Sequence, residues 1–316
     1  MTRHILKMVW NRKRANVLIV AEIFLSFLVL FAVLTLASAL LGSVRKPLGF
    51  EWRNVWNISV NTNRPPDQKA PESEQQSLGM LIRELQALPE IAAVGASATP
   101  PYAMSSNEGT WMIGGKSVSL THDFVTDGFA DVMQMKLVAG RWFIPADDAA
   151  SFTPIVIDAD LARDVYGSEN PVNQKFNNGG EKDFRVVGVV APYRKSGEFA
   201  NFGRPINMMF ERVSVMKGTM PDNLLIRLRP GTPASFEQTL NARLHQIAPD
   251  MNFRIRQMDR MRTFAHRMVL LPLTILAGIA AFLIVMVVLG LSGVLWQNVT
   301  RRRREIGLRR AIGATG

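Results

Sequence analysis

Two long apolar runs, Val17–Leu41 and Val269–Trp296, frame a long stretch in which hydrophobic and polar positions alternate at short periods. Each run exceeds the roughly 20 residues that a helix needs to cross about 30 Å of hydrocarbon. The second, of about 28 residues, makes a helix of ~42 Å and is expected to project beyond the lipid as a stalk. Ala277, Gly278, Ala281, Gly290 and Gly293 offer small residues for helix packing along it. Ahead of the first run, Ile5, Leu6, Val9 and Trp10 fall on one helical face, with Arg3, Lys7, Asn11 and Arg14 opposite. That pattern suits an interfacial helix over residues 3–14, although a plain basic flank has the same composition.

Between the runs the periodicity switches repeatedly. Val55–Val60 alternates as a strand, and a polar, proline-rich loop follows from Thr62 to Gln75. Leu78, Leu81, Ile82, Leu85 and Leu88 recur at helical spacing until Pro89 stops them. Ile91–Ser97 and Gly109–Leu120 are expected to be extended. Pro154–Ile157 predicts a short strand before a helix at Ala159–Tyr166, and Phe184–Val190 is the strongest strand pattern in the chain. Leu224–Leu228 predicts a strand, Pro233–Ile247 a helix and Phe253–Arg256 a last strand. Strands and helices mix without strict alternation, which is the pattern of an α+β domain.

The net charge of +11 changes meaning once it is located. Residues 1–16 carry five basic residues and no acid, and residues 297–316 carry six arginines and Glu305. The stretch from Gly42 to Met268 holds 26 Lys/Arg against 24 Asp/Glu. The excess therefore flanks the apolar runs, which is the positive-inside signature: both termini cytoplasmic, the large segment outside. A nucleic-acid binder needs its basic face on the folded domain, so none is expected as a partner. The chain has no cysteine, which excludes disulfides, thiolate metal sites and cysteine nucleophiles. Ala37-Ser38-Ala39 resembles a signal-peptidase site, but Val17–Leu36 is longer than the usual 7–15-residue signal core, so the run is taken as an uncleaved anchor. Glu22, the one ionisable residue inside that run, lies close enough to its start to reach the cytoplasmic interface.

Candidate chemistry is sparse. His4, His122, His245 and His266 show no ligand spacing, and there is no Gly-x-Ser-x-Gly elbow. Gly114-Gly115-Lys116-Ser117 imitates the end of a phosphate-binding loop, but Thr110 stands where its first glycine is required, and a hairpin turn accounts for the glycines better. Asp147-Asp148 and Asp158-x-Asp160 are expected on solvated faces, in a domain close to neutral. No catalytic residue, cofactor or metal ligand is assigned.

The sharpest signal is the tail, Arg301-Arg302-Arg303-Arg304-Glu305-Ile306-Gly307-Leu308-Arg309-Arg310-Ala311-Ile312-Gly313-Ala314-Thr315. A stop-transfer flank needs only the arginines. The whole segment resembles the one after the second membrane helix in permeases of the MacB/FtsX type, partners of ABC-transporter ATPases. Gly140-Arg141-Trp142-Phe143 with Asp147 is similar to that family's Gly-Arg-x-Phe-x-x-x-Asp element. Leu161-Ala162-x-x-x-Tyr166-Gly167, Asn170-Pro171-Val172 and Val186-Val187-Gly188-Val189-Val190 follow in similar order and spacing.

The resemblance implies a two-lobed α+β periplasmic domain of the MacB core type, inserted between two transmembrane helices. The domain boundaries expected from it are a cytoplasmic interfacial helix over 1–16, spans at 17–42 and 268–297, the outer domain at 43–267 and a coupling segment at 298–316. In the coupling segment Glu305 and Arg310 would pair with the ATPase, Ile306 and Leu308 would anchor, and Gly307, Ala311, Gly313 and Ala314 would allow close backbone approach. The resemblance further implies a separate ABC ATPase, a second permease copy in a homo- or heterodimer, the bilayer of a bacterial inner membrane, and a place for a periplasmic or outer-membrane partner. Such permeases continue through two further membrane helices, so a fragment, a split-gene product and a truncated form all fit a chain that reaches Gly316. The same topology also suits a membrane-anchored sensor, or a scaffold for a periplasmic partner such as a cell-wall hydrolase.

Overall fold

The structure is a computed structural model that describes residues 13–61, 71–176, 183–199, 206–213 and 221–311. Most of the interfacial helix expected at residues 3–14 lies outside them. The chain divides into two compact units, Gly42–Arg267 and Met1–Leu41 with Met268–Gly316.

The second unit is formed by parts of two helices, α1 (Lys13–Val44) and α6 (Met258–Ala311). Both are long and apolar enough to cross a membrane. Glu22 is half-buried, and its Oε2 lies 3.5 Å from where a Cβ on Gly290 would stand. The carboxylate thus turns towards the other helix rather than only towards an interface. Of the three glycines expected to pack, Gly290 meets a neighbour in this way, whereas Gly278 and Gly293 face open space; Ala280 is buried, and Ala277 and Ala281 are exposed.

Unit Gly42–Arg267 is built on one ten-stranded sheet. Its strands are β1 (Val55–Asn61), β2 (Ile91–Ser97), β3 (Glu108–Ile113), β4 (Lys116–Val125), β5 (Leu137–Gly140), β6 (Thr153–Asp158), β7 (Phe184–Val190), β8 (Asn207–Arg212), β9 (Asn223–Leu228) and β10 (Asn252–Gln257). They run in the order β10-β1-β9-β2-β4-β8-β6-β7-β5, with β3 paired to β4. The sheet narrows between β2 and β4 to a single residue pair, Ser97 with Val125, and the domain divides there into two lobes.

In the first lobe β10, β1, β9 and β2 are antiparallel. Helices α2 (Glu72–Ala87) and α5 (Phe236–Ile247) lay Leu78, Leu81, Leu85, Leu240 and Leu244 into one core with Ile58 and Ile226. β10 is the edge strand, and its exposed Arg254 and Arg256 alternate with half-buried Phe253 and Ile255, the pattern that keeps an edge from pairing further. In the second lobe β4/β8 and β6/β7 are parallel pairs, and β7 is buried along almost its whole length, as a covered parallel strand must be. Helix α4 (Ala159–Tyr166) inserts Leu161 there. Gly114 and Gly115 both take positive φ, at 57° and 79°, in the tight β3–β4 hairpin, where two central left-handed residues match the twist of the strands.

A third core lies around helix α3 (Phe129–Met133), where Phe50, Trp142, Tyr193 and Phe210 pack with it. The Gly-Arg-Trp-Phe element forms a corner of this core. Arg141 grips Asp147 with two hydrogen bonds of 2.8 and 2.6 Å, and Trp142 Nε1 donates to the Asp127 carbonyl at 2.9 Å. This corrects the expectation of solvated acids. Asp147 is buried, and Asp148 accepts from Arg212 at 2.7 Å. Asp158 is fully buried; it caps α4 by accepting from Leu161 N at 2.9 Å and also accepts from Met208 N of β8 at 3.2 Å. Asp148 and Asp160, with side chains 34% and 21% exposed, stay nearer the expected solvated face.

Candidate functional site

The ends of α1 and α6 that belong to the outer unit meet one loop, residues 191–199. Ser43 sits in the last turn of α1, where a helix leaves its carbonyls without intrahelical partners. Arg194 supplies the missing donor: its Nη1 donates to Ser43 O at 2.7 Å, and its Nη2 donates to Ser43 Oγ and, at 3.0 Å, to the Glu198 carbonyl. Ser43 Oγ in turn donates to the Glu198 carbonyl. The loop is held from its other side too, since Arg194 N donates to Leu48 O and Tyr102 N to Lys195 O.

The side chain of Glu198 faces α6. Oε1 accepts from Arg262 Nε at 2.8 Å, with Arg262 Nη2 also at 2.8 Å, and Oε2 lies 2.8 Å from His266 Nε2. Tyr102 donates its hydroxyl to Oε2 at the longer distance of 3.4 Å. Arg262 and His266 are four residues apart, so both point from one face of the helix. Trp52 lies under the Arg262 guanidinium at 4.5 Å, and Phe199 meets the His266 ring edge-on at 4.7 Å. Gly197 has φ +87°, and a Cβ there would stand 2.4 Å from the Tyr102 ring, so the turn that presents Glu198 requires glycine.

Burial works to raise the Glu198 carboxyl, but the hydrogen bonds from His266 and Arg262 and the charge of Arg262 outweigh it and hold it below the usual range. Burial raises the Tyr102 hydroxyl far above its ordinary value, with the Glu198 charge adding to it, so it stays a donor. The chemistry available is mechanical: one ionised carboxylate and one arginine join two helix ends to the domain core. Among the described residues no group of three or more His, Asp or Glu is placed to hold a metal ion.

The tail residues belong to the other compact unit. Glu305, Ile306, Gly307, Leu308, Arg310 and Ala311 occupy the last turns of α6, with Ile306 and Leu308 exposed. Gly313 and Ala314 lie outside the described residues. Sequence reasoning missed the Glu198 cluster. Its available signal was the Arg262–His266 pair at helical spacing just before the second apolar run; Glu198 itself carried none.

The model of the MacB-like periplasmic core domain matches residues 17–243. The chain belongs to that family. The match spans the first apolar run and most of the outer unit, and it ends before the tail motif. Macrolide export ATP-binding/permease protein MacB of Aggregatibacter actinomycetemcomitans is 23% identical over 217 residues, covering 66% of this chain and 33% of that protein. An uncharacterized ABC transporter permease, YknZ of Bacillus subtilis, is 23% identical over 201 residues, covering 60% of this chain and 48% of its own length. This MacB-like chain thus spans from a third to a half of these relatives. The crystallised periplasmic region of MacB from Actinobacillus actinomycetemcomitans superposes with a TM-score of 0.47 at 17% identity, over 71% of this chain and 97% of that one.

Proposed function

We propose that this chain is a permease subunit, or the front portion of one, of a MacB/FtsX-type ABC transporter in a bacterial inner membrane. Both termini lie in the cytoplasm and the Gly42–Arg267 unit lies in the periplasm. A separate ABC ATPase binds Glu305–Ala314 and hydrolyses ATP, and this chain performs no catalysis. Two permease copies, identical or related, are drawn together as the ATPases dimerise. The movement travels along α1 and α6 into the periplasmic domain, where a change of shape drives export or efflux.

The observation that carries this reading is the Glu198 cluster. Ser43 from one membrane-facing helix and Arg262 and His266 from the other are bonded to the same loop. A loop bonded to both helix ends passes their displacement into the core on which Tyr102 packs. The family match and the asymmetric distribution of arginine add to it.

The test is co-purification of this protein from its native membranes with an ABC ATPase. Gly313→Arg and Ala314→Glu should release the ATPase while outer-domain unfolding, followed by tryptophan fluorescence, stays unchanged. Recovery of no ABC ATPase would overturn the assignment. Undiminished binding by both tail variants would remove the coupling role from this segment.

A further inference from the structure

A cavity of about 560 Å³ opens on the outer domain between β1, the loop at residues 100–105 and the start of α6. Its size suits a small molecule. One wall is cationic. Arg256 on β10 stands directly opposite Asn57 of β1 in the antiparallel register, and Arg260 follows in the first turn of α6. Neither guanidinium has a hydrogen bond or ion pair among the described residues, and no acidic residue is among those lining the cavity.

Apolar side chains line the cavity beside these cations: Phe264 stands one turn after Arg260 on α6, so the two share a helix face. Met104 is 79% exposed and Phe264 47%, and the buried Tyr102 also lines the cavity. The floor is polar: Asn57 Nδ2 donates to Asn223 Oδ1 at 3.2 Å, while Asn57 Oδ1, in a fully buried residue, has no partner. A half-open site that combines two unpaired cations with exposed Met and Phe side chains matches a molecule with an anionic head and an apolar body.

We infer that this cavity binds an amphiphile with one anionic headgroup, its charge on Arg256 and Arg260 and its apolar part against Met104 and Phe264. The head is a carboxylate, sulfonate or phosphate. Its source is either a lipid of the bilayer or a free amphiphile from the aqueous side. Tyr102 links the cavity to Glu198, so an occupant would rest against the group that joins the helix ends. The binding inference stands on the outer unit alone and does not rest on the transporter reading.

The experiment is fluorescence titration of dansyl-labelled undecanoate, and of its uncharged methyl ester, into the full chain in phosphatidylcholine nanodiscs, with empty discs as background. Arg256→Gln and Arg260→Gln should each weaken the carboxylate probe about tenfold, the loss of one charge-assisted hydrogen bond, and barely affect the ester. Met104→Ser should weaken both probes. Arg254→Gln, on the same strand but outside the cavity, should change nothing. Discs containing phosphatidylglycerol distinguish the sources: competition with the probe assigns the occupant to the bilayer, and undiminished binding assigns it to the aqueous side. Equal affinity for acid and ester, or affinities unmoved by both arginine variants, would overturn the inference. ATPase co-purification reads separately, so either conclusion can fail alone.

Discussion

Replacing Glu198 with alanine is the perturbation that most directly probes the helix-joining cluster. The side chain is 9% exposed and faces Arg262 and His266, whose side chains are 27% and 19% exposed. Removing one member of a fully buried ion pair costs about 3–5 kcal/mol, because the other charge is left without compensation. Water reaches both partners here and recovers part of that loss, which brings the expected cost to about 2 kcal/mol. For a domain of this size such a cost lowers Tm by about 4–8 °C. Trp52, against Arg262, provides a local reporter in thermal unfolding followed by intrinsic fluorescence. A double-mutant cycle with Arg262→Ala should return a coupling of about 1–2 kcal/mol, since the pair is in direct contact. A Tm shift under about 1 °C for Glu198→Ala, with additive effects in the cycle, would refute the claim that this carboxylate holds the start of α6 to the loop.

Three further outcomes follow from the geometry. The carboxyls of Glu198 and Asp147 both lie below their ordinary range, each because the hydrogen bonds and charge of its arginine, with further donors, overcome burial. Each therefore contributes stability that is complete above about pH 4–5 and is lost as pH falls through its folded-state pKa. Unfolding measured from pH 7 down to 3 should show a steeper acid limb in the parent than in Glu198→Gln or Asp147→Asn; parallel limbs contradict the assignment. Gly197→Ala and Gly231→Ala both place a side chain at positive φ, costing about 1–2 kcal/mol each. Only the first also meets the Tyr102 ring, so chemical denaturation should show it to be worse by about 1–3 kcal/mol, and equal losses would contradict the packing described. Leu161→Ala should cost about 2–5 kcal/mol from its fully buried position, and a loss under 1 kcal/mol would mean that α4 does not close its lobe as described.

The sequence by itself determined whatever depends on local periodicity. Val55–Val60, Ile91–Ser97, Ala159–Tyr166 and Phe184–Val190 were legible as elements from their local pattern, and Pro89 and Gly167 mark where helices stop, although the alternation in Val55–Val60 did not foretell that Asn57 is fully buried. The two apolar runs were legible for the same reason, since hydrocarbon imposes one length on any helix that crosses it. The β8 strand was not. Asn207-Met-Met-Phe-Glu-Arg212 shows no alternation, because it is covered on both faces. Its terminal charge also became burial-compatible only when Arg212 found Asp127 and Asp148, distant in the chain.

The same distinction governs the acids and the candidate sites. Whether a carboxylate is solvated depends on which arginine or backbone N–H faces it, and Asp147 and Asp158 were placed by the tertiary fold. Glu198 joins Ser43, 155 residues earlier, to Arg262 and His266, more than 60 residues later. The cavity likewise combines Asn57, Met104 and Arg256 from three separate segments. Hydrophobic periodicity is a property of neighbours along the chain. Ion pairs and cavities belong to neighbours in space, and only packing the sheet and helices together brings those residues into contact.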